Sequence, residues 1–416
     1  MFSKYWGYAL FLLLGSLLIR PSHFGEDYSI FGSLIIMTTG IISSYRNKTD
    51  ISYSVNLKAI TVSTCALWLF LCVHSVSQST NNFFALYAFV LISSSTIGAA
   101  LSFSCKPVHD AYFRIFRLYL CAMCVSELIT IFLSTYIPLE SLLVARLPTK
   151  TYTDFGDFYF PFTASYDVKD YGWIQIPRLS AGFRESGIAQ AFYASAIATL
   201  PSVSRTRDRV TFFLLVVGGL LTQSTIGFAL VTISAYLRLI RIYEYSIWKQ
   251  ILSFVFLLPI LGYGVYFSIS DETLGLGLAS KQDTDSALDR LFGTQAGISR
   301  FFENPFGYGI YNSAYPQEGI NLLSSLGMIG IFGIAAVLIN LFISIKFSLS
   351  RREKIEVLMP LFVTSIFSQP FIDAGLVYIF YLYTAPNILL RRNPVEKKLK
   401  REGRPNPVTN VIEGVG

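Results

Sequence analysis

The residues best suited to chemistry stand just before an apolar helix. In IPRLSAGFRESGIAQAF, Arg178, Arg184 and Glu185 share one short segment. Arginine keeps its charge and presents a planar fork that matches phosphate oxygens in pairs. A nearby carboxylate can take a proton from a hydroxyl. Arg178 and Arg184 are candidates for holding a phosphate-bearing ligand, and Glu185 for a general base. The plainer alternative is an internal Arg184–Glu185 pair or contact with lipid headgroups.

Upstream, residues 151–173 read TYTDFGDFYFPFTASYDVKDYGW. Sugar rings offer apolar C–H faces and hydroxyl rims. Aromatic faces suit the first, and carboxylates accept from the second. Asp154, Asp157, Tyr159 and Trp173 are the sugar-binding candidates. The alternative is an aromatic belt at a membrane interface, folded as a lid.

Further on, DTDSALDRLFGTQAGISRFFENPFGYGIYNSAYPQEGIN carries two more candidates. Arg300 is a third phosphate ligand and Glu318 a second base. The Asp283–Asp285 D-x-D reads as a solvated acidic turn, not a metal site. Asn304 to Gly309 is turn chemistry, since glycine supplies positive φ and proline fixes its own.

These groups need elements to position them. The chain has 416 residues, 53% hydrophobic and 14% charged. Soluble domains carry about 25% charged residues. Mean hydropathy is +0.52. An ordinary cytosolic enzyme and a disordered chain are excluded. Crossing about 30 Å of hydrocarbon takes roughly 20 apolar residues. The pattern predicts an all-α polytopic membrane protein of about twelve transmembrane helices: 4–19, 29–45, 58–76, 83–104, 111–136, 187–203, 209–221, 225–237, 250–268, 319–345, 355–368 and 373–389. Arg20-Pro21 follows the first span and no small-residue cleavage site is seen, so it reads as an anchor.

The organisation that follows has six parts. Residues 1–136 hold spans one to five, 137–186 the first long loop, and 187–268 spans six to nine. Residues 269–318 form the second long loop, 319–389 the last three spans, and 390–416 a basic tail. With both termini in the cytoplasm, most of the 33 Lys and Arg lie inside, including Arg205, Arg207, Arg209 and the tail. That satisfies the positive-inside rule and turns both long loops outward. The net charge of +7 therefore describes orientation and not a nucleic-acid partner. The outer face is acidic and aromatic, and its few arginines stand out.

Cysteine and histidine carry little. Cys121-x-x-Cys124 lies within a span, with no redox fold around it, and neither long loop holds a Cys or a His. No metal and no cofactor are expected. Glu127 is an intramembrane carboxylate, a functional candidate by default. Asp373 sits in the tight outer turn before the last span, where it would help order the site.

On three signatures the chain resembles the bacterial O-antigen polymerases of the Wzy type and their relatives, the O-antigen ligases. They are RLSAGFRESGIAQAF, the hairpin LLTQSTIGF, and the run from Arg300 through NPFGYG to GINLLSSLGMIGIFG. Together they cover roughly 178–335. Ligases usually place a His before the Gly-rich helix. Here Tyr311 to Asn321 holds none, which favours the polymerase.

The resemblance implies that oligosaccharide repeats on undecaprenyl diphosphate are joined at the periplasmic face of the bacterial inner membrane. Undecaprenyl diphosphate leaves, and its charge would be held by Arg178 and Arg184, with Arg300 third. Glu185 and then Glu318 are the candidate bases. Implied partners are the lipid-linked oligosaccharide, membrane lipids and a chain-length regulator. The competing classes are a ligase that transfers polysaccharide to lipid A-core and a lipid-linked oligosaccharide flippase.

Overall fold

The computed structural model describes residues 4–46, 55–78, 82–147, 156–170, 174–201, 205–242, 285–312, 321–367 and 372–386, with isolated positions at 248, 255, 259 and 262. Asp154, Trp173, Asp283, Glu318 and most of the span at 250–268 lie outside the described residues.

The chain is mostly helical, as the composition demands. The helices are α1 (Lys4–Leu17), α2 (Ser29–Arg46), α3 (Val55–Ser77), α4 (Asn82–Phe103) and α5 (Lys106–Ser134). After a sheet come α6 (Ser186–Ala198), α7 (Thr206–Leu221), α8 (Thr225–Ile242), α9 (Asp285–Glu303), α10 (Leu326–Lys346), α11 (Arg351–Phe367) and α12 (Gly375–Tyr381). Among the described residues, four helices are long and apolar enough to cross a membrane: Val55–Ser77, Phe83–Phe103, Lys106–Ser134 and Leu326–Lys346.

The centre is α6, every residue of which is buried. It packs against α5, α7, α8, α11 and β4. Its small residues, SGIAQAFYASAIA, admit neighbours on all sides, and its aromatic rings fill the gaps. Phe192 stacks on Phe183 at 4.7 Å and meets Phe380 edge-on at 5.2 Å. The helix stops at Ala198, short of the expected 203, because Pro201 cannot continue the ladder.

The first long loop departs from the all-α expectation. It holds a four-stranded antiparallel sheet in the order β1-β2-β3-β4. The strands are β1 (Leu143–Leu147), β2 (Gly156–Tyr159), β3 (Thr163–Asp170) and β4 (Gln175–Leu179). In β3, TASYDVKD, Val168 packs inward while Asp167 stays half-open. The sheet rests on α5 through β3 and β4. There Thr163 Oγ1 meets Ser126 Oγ and Thr130 Oγ1, each at 2.8 Å. The amide of Phe162 donates to Ser126 Oγ at 3.1 Å.

In the second long loop, α9 packs on α10, and the NPFGYG turn docks on the start of α10. The Tyr308 and Gly309 amides donate to the Gly327 and Met328 carbonyls, both at 2.9 Å, and Ile331 donates to Pro305. Gly307 and Gly330 both take positive φ, +85° and +60°. A Cβ on Gly330 would stand 2.3 Å from the Phe306 carbonyl oxygen. These glycines let two backbones touch. Gly330 breaks the helical φ/ψ inside α10, which starts at Leu326 after a turn over 321–325 and not at 319.

Candidate functional site

The path from β4 into α6 decides where Arg184 goes. Ala181 and Gly182 take φ of +51° and +79°, which reverses the chain. Tyr119 on α5 donates its hydroxyl to the Ala181 carbonyl at 2.7 Å. A Cβ on Gly182 would lie 2.5 Å from that hydroxyl oxygen, so only glycine fits. The reversed segment pairs with the turn between α1 and α2. Ser22 and Phe183 form a bridge, His23 N–H donates to the Gly182 carbonyl at 2.9 Å, and Arg184 N–H donates to Pro21 at 3.1 Å.

The guanidinium of Arg184 then reaches Glu26. Nη1 lies 2.9 Å from Oε1, with the two side chains only 10% and 12% exposed. Glu26 also lies 3.9 Å from Arg20 Nη2. Arg20 in turn bonds Asp373, from the turn before α12. Tyr311 donates its hydroxyl toward Asp373 Oδ2 at 3.5 Å. Five side chains from the α1–α2 turn, the β4–α6 turn, the second loop and the 373 turn thus meet at one end of the bundle. The carboxylate of Asp373 raises the pKa of Arg20, more than offsetting the burial that opposes its charge. Burial pushes His23 down to about 4, and the Arg184 charge adds to that. His23 is therefore neutral near pH 7, and the cationic groups here are guanidinium.

Arg178 belongs to a different set of partners. Its Nη2 donates to Ser186 Oγ at 2.9 Å and to the Gln223 carbonyl at 3.4 Å. Asp167 lies 3.7 Å from Nη1, and the Tyr166 ring 5.6 Å from Cζ. Gln223 Nε2 also approaches the Pro177 carbonyl at 3.5 Å. The TQST turn and the RLSAGFRESG segment thus meet, although 45 residues separate Arg178 from Gln223. Glu185 stands at the N-cap of α6 without capping it, half-buried between Arg184 and Ser186.

The other candidates are placed as follows. Arg300 is in the last turn of α9 and is not a member of the Arg20–Glu26–Arg184–Asp373 group. Asp157 lies 3.5 Å from Arg146 Nε and accepts from the Tyr159 hydroxyl at 3.2 Å. Tyr159 is 5% exposed and packed on Leu139 and Leu142. The exposed rings on this hairpin are Phe160 and Phe162. Glu127 is fully buried, and neither carboxylate oxygen has a hydrogen-bond partner. Among the described residues it forms no ion pair with an arginine. Among the described residues, no group of three His, Cys, Asp or Glu could hold a metal.

Arg20, Glu26 and Tyr311 belong to this group without a motif that points to them. Arg20 and Glu26 carry one signal, charge in the short turn R-P-S-H-F-G-E after an apolar run, and Tyr311 carries none. Comparison with protein-family models, with curated proteins and with solved structures finds no match.

Proposed function

We propose that this protein is a membrane-embedded polysaccharide polymerase. In this reading it joins oligosaccharide repeats carried on undecaprenyl diphosphate at the periplasmic face of a bacterial inner membrane. The reading takes twelve spans with both termini inside. The chain-end groups Arg20, Arg178, Arg184, Tyr311 and Asp373 then all fall on the outward side.

The observation that carries the reading is the partly buried group of Arg20, Arg184, Glu26 and Asp373. Arginines held at a bundle end by carboxylates, beside helices of membrane length, suit a phosphate-bearing lipid. A poorly hydrated cationic site stabilises a departing diphosphate more than water does. Arg184 and Arg20, both beside Glu26, would hold that charge. Arg178, fixed against Ser186 and Gln223, would bind the second phosphate or the first sugar. Glu185, at the N-terminus of α6 beside Arg184, would take the proton of the acceptor hydroxyl. Asp157 and the exposed Phe160 and Phe162 would meet the sugar chain on the sheet. Atoms balance: the acceptor oxygen bonds the anomeric carbon, and undecaprenyl diphosphate leaves with the bonding pair.

The test is a deletion strain examined by lipopolysaccharide gel. Core carrying a single repeat supports polymerisation. Bare core points to the ligase, and an unchanged ladder removes both.

A further inference from the structure

A cavity of about 420 Å³ opens between α2 and α4 beside the Arg20–Asp373 pair. The two helices run in parallel and touch closely over several turns. A Cβ on Gly40 would lie 2.4 Å from the Gly98 carbonyl oxygen, and the Ser33 and Ser95 hydroxyls bond at 2.9 Å. Past Ser33 and Ser95, the walls become large and apolar. Ile30 on α2 and Phe83, Phe84, Tyr87 and Leu91 on α4 line the space. The same space is also lined by polar groups, Arg20, Glu26, Tyr311 and Asp373, with the Tyr311 ring 6.4 Å from that of Phe84. An apolar pocket of this size with a few convergent polar groups is the usual form of a ligand site.

We propose that this cavity seats the first isoprene units of a polyprenyl phosphate, whose phosphate takes Arg20 from Asp373. The proposal rests on the reading that the substrate is a lipid-linked diphosphate, and it assigns that lipid's place. Arg20 is the member of the group most open to a ligand, 33% exposed against 18% for Asp373. It can also change partners at least loss. Asp373 keeps the Tyr311 hydroxyl at 3.5 Å, and Glu26 keeps Arg184 at 2.9 Å. A guanidinium–phosphate contact can be bidentate, which a single-oxygen contact with Asp373 is not. Asp373 thus acts as a resident anion that a phosphate displaces.

Native mass spectrometry of the full chain in detergent tests this with undecaprenyl phosphate as the probe. Undecaprenol and phosphatidylglycerol are the controls. Arg20→Gln should weaken binding about tenfold. Asp373→Asn, by removing the competitor, should tighten it severalfold. Ala88→Phe, which adds bulk to a lining position, should weaken it even if Arg20→Gln fails to fold. Equal binding of phosphatidylglycerol, or wild-type binding by Ala88→Phe, overturns the proposal. So does weaker binding by Asp373→Asn. The assay reads binding and not chain growth. A protein that binds here but builds no polymer removes the proposed function and leaves the site. Polymer growth with unaltered binding in the variants removes the site alone.

Discussion

Arg184 and Glu26 are 158 positions apart and bond at 2.9 Å in a nearly closed setting. Breaking one side of such a pair strands a charge, which costs about 3 kcal/mol. Arg184→Ala should therefore lose polymer and also lower unfolding stability in detergent. Glu26→Ala should cost a comparable amount. The double variant should fall well short of the sum, because no unpaired charge remains. Additive losses would show that the two side chains act independently.

The β4–α6 reversal makes a second prediction. Gly182→Ala meets both positive φ and the Tyr119 hydroxyl at 2.5 Å. It should destabilise by about 1–3 kcal/mol. Tyr119→Phe in the same chain removes the steric part and should recover some of the loss. Thermal melts of the two variants check this; no recovery would place the whole cost in the backbone.

His23 makes stability depend on pH. Its pKa falls from 6.5 to about 4 on folding, because burial disfavours the imidazolium. Above pH 6.5 the ring is neutral in both states and contributes no pH dependence. As pH drops from 6.5 toward 4, the unfolded chain binds the proton first. Stability should then fall by roughly 3 kcal/mol at most. His23→Gln should flatten the profile in this window, read as melting temperature against pH. An unchanged slope in the variant would assign it to other groups.

Glu127 is a carboxyl closed off from solvent. A buried carboxyl with no partner lowers stability. Glu127→Leu should raise the melting temperature. A lower one would mean that the carboxyl has a partner in the working protein.

Helix positions were legible because long apolar runs leave few alternatives. Expected spans at 29–45 and 58–76 became Ser29–Arg46 and Val55–Ser77. The sheet was not legible. Aromatic residues crowd 151–173 so densely that Phe160 and Phe162, which are exposed, look the same in sequence as Tyr159, which is buried. Arg178 and Arg184 looked like one clamp because six residues separate them. The reversal at Ala181 and Gly182 sends them to different partners. Glu26 and Asp373 gain their meaning only from a meeting of distant turns, which spacing along the chain does not encode.

The central claim is that the Arg184 end of the bundle joins lipid-linked repeats. Purified protein should be given a single lipid-linked repeat unit, and products should be weighed by mass spectrometry. The account predicts a ladder of products that differ by one repeat mass, released undecaprenyl diphosphate in matching amount, and loss of both in Arg184→Ala. A wild-type protein that leaves the single repeat unextended, or an Arg184→Ala protein that extends it equally, would contradict it.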